Sequence, residues 1–147
     1  MEVQQLVGTW SLTAWEIHTD AGTTTPYGAT PTGMLTYTAE GTVQVAVQAG
    51  GRGPLSHPSP RRAPDAEVAE AARRFFAYSG TWQLADDVVS HHVLLALDPG
   101  MVGTVQRRRA DLEGQQLTLS ADEPVAGSTR RHVLRWQRFE ADGDAVG

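Results

Sequence analysis

Alternation with a period of two constrains this chain more than any other feature. Residues 7–19, 33–39, 42–49, 78–85, 88–97, 103–112, 115–121 and 129–140 place apolar and polar side chains in turn and are rich in Val, Thr and aromatic residues. Such segments read as half-buried strands. Glu40-Gly41, Asp86-Asp87, Glu113-Gly114 and Glu123-Pro124 mark the reversals between them, in the residue types that tight turns favour. Reversals this short join antiparallel neighbours. The pattern therefore predicts an all-β meander of about eight strands, and closing it into an up-and-down barrel removes the exposed edges. The 147 residues suffice for one such domain, residues 1–147, with a real core.

One stretch departs from the alternation. After Pro64 the chain runs DAEVAEAARRFFAY, with Asp65 as N-cap and Glu67 and Glu70 near the helix start, where acidic groups are favoured. Val68, Ala72, Phe75 and Phe76 form one apolar stripe at helical spacing. This predicts a short amphipathic helix over 65–77, between strands three and four, covering the open end of the barrel. The segment 50–64 before it is dominated by Gly and Pro. It reads as a surface connection that is either a mobile link or a lid over the mouth. The tail 141–147 is polar and expected to fray.

Composition excludes several chemistries. With no Cys there is no disulfide framework, thiolate nucleophile or Cys-ligated metal. All 12 Lys+Arg residues are Arg, which removes Schiff-base and P-loop lysines. A net charge of −5 argues against nucleic acid as a partner. No apolar run approaches the ~20 residues of a membrane span, and residues 1–20 lack a basic segment followed by an apolar one. The expectation is a cytoplasmic protein without a membrane or nucleic-acid partner; a homodimer stays open.

Longer motifs carry a resemblance. LVGTW (6–10) resembles the Gly-x-Trp opening of lipocalins. With TPYGATPTGMLTYTAEGTVQV, HHVLLALDPGMVGTVQRRRADLEGQQLTL and VLRWQRF, the chain resembles the lipocalin-like domain family over residues 6–139. Pro26, Gly28, Pro31, Gly33, Leu35, Tyr37, Thr38 and Gly41 stand at the spacing of that family's PxGxxPxGxLxYTxxG pattern. The resemblance implies an antiparallel barrel with an internal ligand cavity, Trp10 as a plug at its base and Arg138 stacked over the indole. It also implies that barrels of this kind include cofactor-free cyclases acting on polyketides.

Alternation assigns side chains to faces. Tyr78, Gly80, Trp82 and Leu84 share one face, and Val89, His91, Val93, Leu95 and Leu97 another. Ala110 and Leu112 bring Gln106 and Arg108 inward and leave Arg107 and Arg109 in solvent. His132, Leu134 and Trp136 share a face. Trp10 and Leu12 point in, and Glu16 and His18 follow if no bulge intervenes. The expected ligand-binding wall is Leu12, Glu16, Tyr37, Trp82, Gln106 and Trp136, with Arg108, His91 and Tyr78 as candidate catalytic groups. Mostly aromatic walls with a few polar groups suit a small molecule.

An inward guanidinium needs an acceptor: Glu16, another carboxylate or a ligand oxyanion. Arg108 could polarise a carbonyl while His91 or Tyr78 moves a proton. His91 and His92 face opposite sides, so they cannot share a metal ion, and His18, His91 and His132 converge only if all three point inward. No cofactor or metal is expected. The sequence reading favours a cofactor-independent cyclase or isomerase acting on a hydrophobic, polyketide-type molecule. The alternative is a non-catalytic carrier for a lipophilic ligand.

Overall fold

The computed structural model describes residues 1–140; the tail 141–147 lies outside them. The strands are β1 (Gly8–Thr19), β2 (Gly22–Thr24), β3 (Thr32–Tyr37), β4 (Thr42–Gln48), β5 (Phe75–Ala85), β6 (Val88–Ala96), β7 (Val105–Glu113), β8 (Gln116–Val125) and β9 (Ser128–Arg138). They form one antiparallel sheet in the order β2-β1-β3-β4-β5-β6-β7-β8-β9, and pairing of β1 with β9 closes it. Eight strands make the barrel. β2 is an additional short strand, folded back on the end of β1.

Helix α1 (Val3–Leu6) and helix α2 (Asp65–Arg73) complete the regular structure with a 3-10 turn at Pro99–Met101. With β2 counted, α2 stands between the fourth and fifth strands in chain order, not between strands three and four. It also ends before residue 77. Phe75, Phe76 and Ala77 pair with Gln48, Val47 and Ala46 instead, a context that suits aromatic residues better than a helix end does. No residue of α2 is buried, so the helix does not cap the barrel as the sequence pattern suggested. Its side holds the 50–64 connection: the Ser56 amide and hydroxyl both donate to Glu67, at 2.7 Å each.

The closed end of the barrel is built from the N-terminus. Leu6 and Trp10 are fully buried, and the Trp10 indole Nε1 donates to the Leu6 carbonyl at 3.0 Å. Arg138 lies over the indole, 4.2 Å from its centroid, as the resemblance implied. Around this plug pack Leu35, Tyr37, Val43, Trp82, Val89 and Leu117.

Two bulges reset the inward faces. On β1 the register shifts between Leu12 and Ala14, so Thr13 is an extra residue that opposes no partner. Beyond it Trp15 points inward, and Glu16 and His18 turn outward. On β6 the partner of Ser79 is Leu95 and that of Gly80 is Val93, which leaves Leu94 as the extra residue. Ala96 then packs inward, while Leu95 and Leu97, expected inside, are 68% and 50% exposed. Gly80 permits this bulge, because a Cβ there would overlap the His92 carbonyl.

Candidate functional site

Opposite the Trp10 plug the barrel is hollow. A partly open cavity of about 410 Å3 lies between Tyr78 of β5, His91 of β6, Gln106 and Arg108 of β7, and His132, Leu134 and Trp136 of β9. Trp15, Val45, Phe76 and Leu119 supply apolar wall, and Asp122, Glu123 and Pro124 form the rim. Trp15 packs edge-on against Tyr27 and Phe76, with centroids 4.8 and 5.6 Å away.

The wall is incomplete on one side. β7 pairs with β6 through residues 105–109, and with β8 only from Arg109 onward. The upper part of β8, from Ala121 to Val125, pairs with β9 alone. The two strands therefore part above Arg109 and Ser120. Arg108, Gln106, Ala121 and Asp122 border the slit.

Five of the expected site residues meet here: Tyr78, His91, Gln106, Arg108 and Trp136. Four do not. Leu12, Tyr37 and Trp82 belong to the packed floor; the Trp82 Nε1 donates to the Thr38 carbonyl, and its ring lies 4.6 Å from that of Tyr37. Same-face residues on tilted strands stack in layers, so sharing a face did not place them at the same depth. Glu16 stands on the outer surface because of the Thr13 bulge. There it accepts from Arg135 at 2.7 Å and bonds His18 at 3.1 Å, contacts that hold its carboxyl below the ordinary range. It is no partner for Arg108. His18 is outside with it, so His18, His91 and His132 do not converge. Among the described residues no three His, Asp or Glu side chains gather at metal-binding distance. Neither the 50–64 segment nor α2 lines the cavity.

Sequence reasoning missed Trp15 and Phe76, both hidden by wrong local structure: the bulge on β1, and the helix extended too far. It also missed the rim, where the His132 Nδ1 accepts from the Trp15 Nε1 at 3.3 Å and Nε2 lies 3.4 Å from Glu123.

The polar groups are arranged around His91, which is 1% exposed. The Tyr37 hydroxyl lies 2.7 Å from Nε2 and the Tyr78 hydroxyl 2.6 Å from Nδ1. Burial, helped by the nearby Arg108 charge, pushes the imidazole down to about 3. It is neutral at physiological pH. Burial likewise raises Tyr78 to about 12, against a smaller opposing pull from Arg108, and burial also raises Tyr37. Both phenols keep their protons. Arg108 donates to the Gln106 Oε1 at 3.2 Å and to the Arg107 carbonyl at 2.9 Å; among the described residues no carboxylate pairs with it. Arg107 and Arg109 are exposed, as alternation required. The Trp136 ring lines the cavity, and its buried Nε1 has no hydrogen-bond partner among the described residues.

A closed antiparallel barrel with a plugged base and an aromatic cavity is the architecture of lipocalin-like proteins. The chain belongs to the lipocalin-like domain family, whose model matches residues 7–139. It is also similar to the 4'-hydroxy-3'-methoxypropiophenone carrier protein of Aspergillus oryzae, with 32% identity over 85 residues, covering 51% of this chain and 77% of that protein. No solved structure matches it. No helix among the described residues is long and apolar enough to cross a membrane. The fold and these similarities define a barrel built for binding small molecules.

Proposed function

We propose that this protein is a carrier for a hydrophobic, oxygenated small molecule, held in the cavity between Trp15, Tyr78 and Trp136. One observation carries the reading: the hollow half of the barrel is mostly apolar and aromatic, yet it holds a guanidinium that has no counterion among the described residues. A cavity of about 410 Å3 falls in the range of small-ligand sites. The similarity to a carrier of an aryl ketone supports the same class of cargo.

His91 argues for carriage over turnover. A base held at about 3 is far from the value that makes proton transfer efficient at neutral pH, and both its nitrogens already have partners. A second reading, a cofactor-independent cyclase or isomerase, draws on a different observation. The Tyr78 hydroxyl and the Arg108 guanidinium border one cavity, where they could steady an enolate oxygen as a ring closes.

One experiment separates the two. The protein is titrated with a hydroxylated aryl ketone while tryptophan emission is followed, and the ketone is then recovered and analysed. Binding with unchanged ketone supports carriage. Conversion to an isomer or cyclised product, abolished in Arg108→Gln, supports the enzyme. Absence of binding overturns both.

A further inference from the structure

We infer that the Tyr37–His91–Tyr78 chain fixes Tyr78 as a hydrogen-bond donor to the cavity, so that the deep end of the site takes a ligand carbonyl or other acceptor oxygen. The inference rests on the binding function proposed above and adds the polarity of the group that is bound.

The direction of the chain follows from burial. Tyr37 is 1% exposed and its hydroxyl has a single partner among the described residues, the His91 Nε2. A buried hydroxyl hydrogen without an acceptor is costly, so Tyr37 donates and Nε2 accepts. A neutral imidazole carries one proton, which must then sit on Nδ1. Nδ1 donates to the Tyr78 oxygen across 2.6 Å. Tyr78 is left with its own hydrogen and no acceptor for it among the described residues, and its ring lines the cavity. Reversing the chain would strand the Tyr37 hydrogen in the packed floor.

The neighbouring groups have the same polarity. Arginine has donors only, so the Gln106 atom facing Arg108 is the carbonyl oxygen, and Nε2 turns to Thr104 at 2.9 Å. The Gln106 carbonyl oxygen thus already accepts from Arg108. The Trp136 Nε1 is a further donor without a partner among the described residues. The carboxylates stand at the rim, engaged with Arg130, Arg131 and His132. An acceptor oxygen satisfies this end of the cavity; an amine does not. Tyr37 and His91 act as positioning residues through Tyr78.

Two measurements test the inference. Nitrogen-15 NMR of His91 in the unliganded protein reads its tautomer: a proton on Nδ1 is expected, and a proton on Nε2 overturns the assignment. The second compares 2-acetylnaphthalene with 2-isopropenylnaphthalene, which has a methylene in place of the carbonyl oxygen. The ketone should bind about tenfold more tightly. Tyr78→Phe should abolish that preference. Tyr37→Phe, which changes no cavity-lining residue, should weaken it and leave His91 a mixture of tautomers. Equal binding of the two probes, or a preference that survives Tyr78→Phe, overturns the inference while binding itself stands. If neither probe binds, the carrier reading fails and this inference with it.

Discussion

The guanidinium of Arg138 lies 4.2 Å above the indole of Trp10, and the same group donates to the Val7 and Gln5 carbonyls at 3.1 and 2.6 Å. One side chain from the last strand thus ties the first strand and the N-terminal helix to the closing seam of the barrel. Removing it loses the cation–π contact and strands two carbonyls. Arg138→Ala should lower unfolding free energy by about 1–3 kcal/mol. Arg138→Lys should recover only part of this, because an ammonium cannot stack and fork at once. Urea denaturation of the three proteins measures both.

His91 predicts a pH dependence. Its value falls from 6.5 to about 3 on folding, so between these limits the unfolded chain binds more protons than the folded one. Its contribution is fully present above pH 6.5 and is lost as pH falls toward 3, at up to about 1.4 kcal/mol per pH unit. His91→Gln should flatten this acid limb. The His91 ring protons, followed by NMR, should not titrate between pH 7 and 4 in the folded protein.

Gly80 has no room for a side chain, because a Cβ would meet the His92 carbonyl. Gly80→Ala should cost on the order of 3 kcal/mol or more by forcing apart the bulge between β5 and β6. Thermal denaturation should show the loss. A midpoint within a degree or two of the wild type would mean that the bulge is not tight.

Ala121 borders both the cavity and the slit. Ala121→Trp should fill ligand space without disturbing the packed floor. Stability should stay within about 1 kcal/mol while affinity for an aryl ketone falls at least tenfold. Titration calorimetry beside a melting curve separates these effects.

Arg108 pairs with no carboxylate among the described residues, so Arg108→Gln should change stability by no more than about 0.5 kcal/mol. Removing a partner from an ion pair, as in Arg135→Gln beside Glu16, also changes little at an exposed site. Ligand affinity tells them apart: only the Arg108 variant should bind more weakly.

The alternation of apolar residues was enough to show eight strands, their antiparallel order and the inward turn of Arg108 but not of its neighbours. Face assignment failed wherever an extra residue was inserted. Nothing around Thr13 announces a bulge. The VLLAL run at 93–97 did carry a trace, since it breaks alternation where Leu94 is inserted. Depth was the other blind spot. Tyr37 and Tyr78 both point inward and both reach His91, yet one lies in the floor and the other in the wall. Periodicity encodes direction, while depth depends on strand tilt and stagger, which no local pattern records. The three-residue β2 was too short to leave a pattern, and α1 has only four residues.

Where β7 and β8 separate above Arg109 and Ser120, no ladder of backbone bonds has to rupture for the aperture to widen. Side chains such as Arg108 and Asp122 border the slit there, so their rotation should govern how easily a bound small molecule exchanges. Exchange should then be rapid while the rest of the scaffold stays rigid. Such kinetics would suit reversible binding of a small molecule.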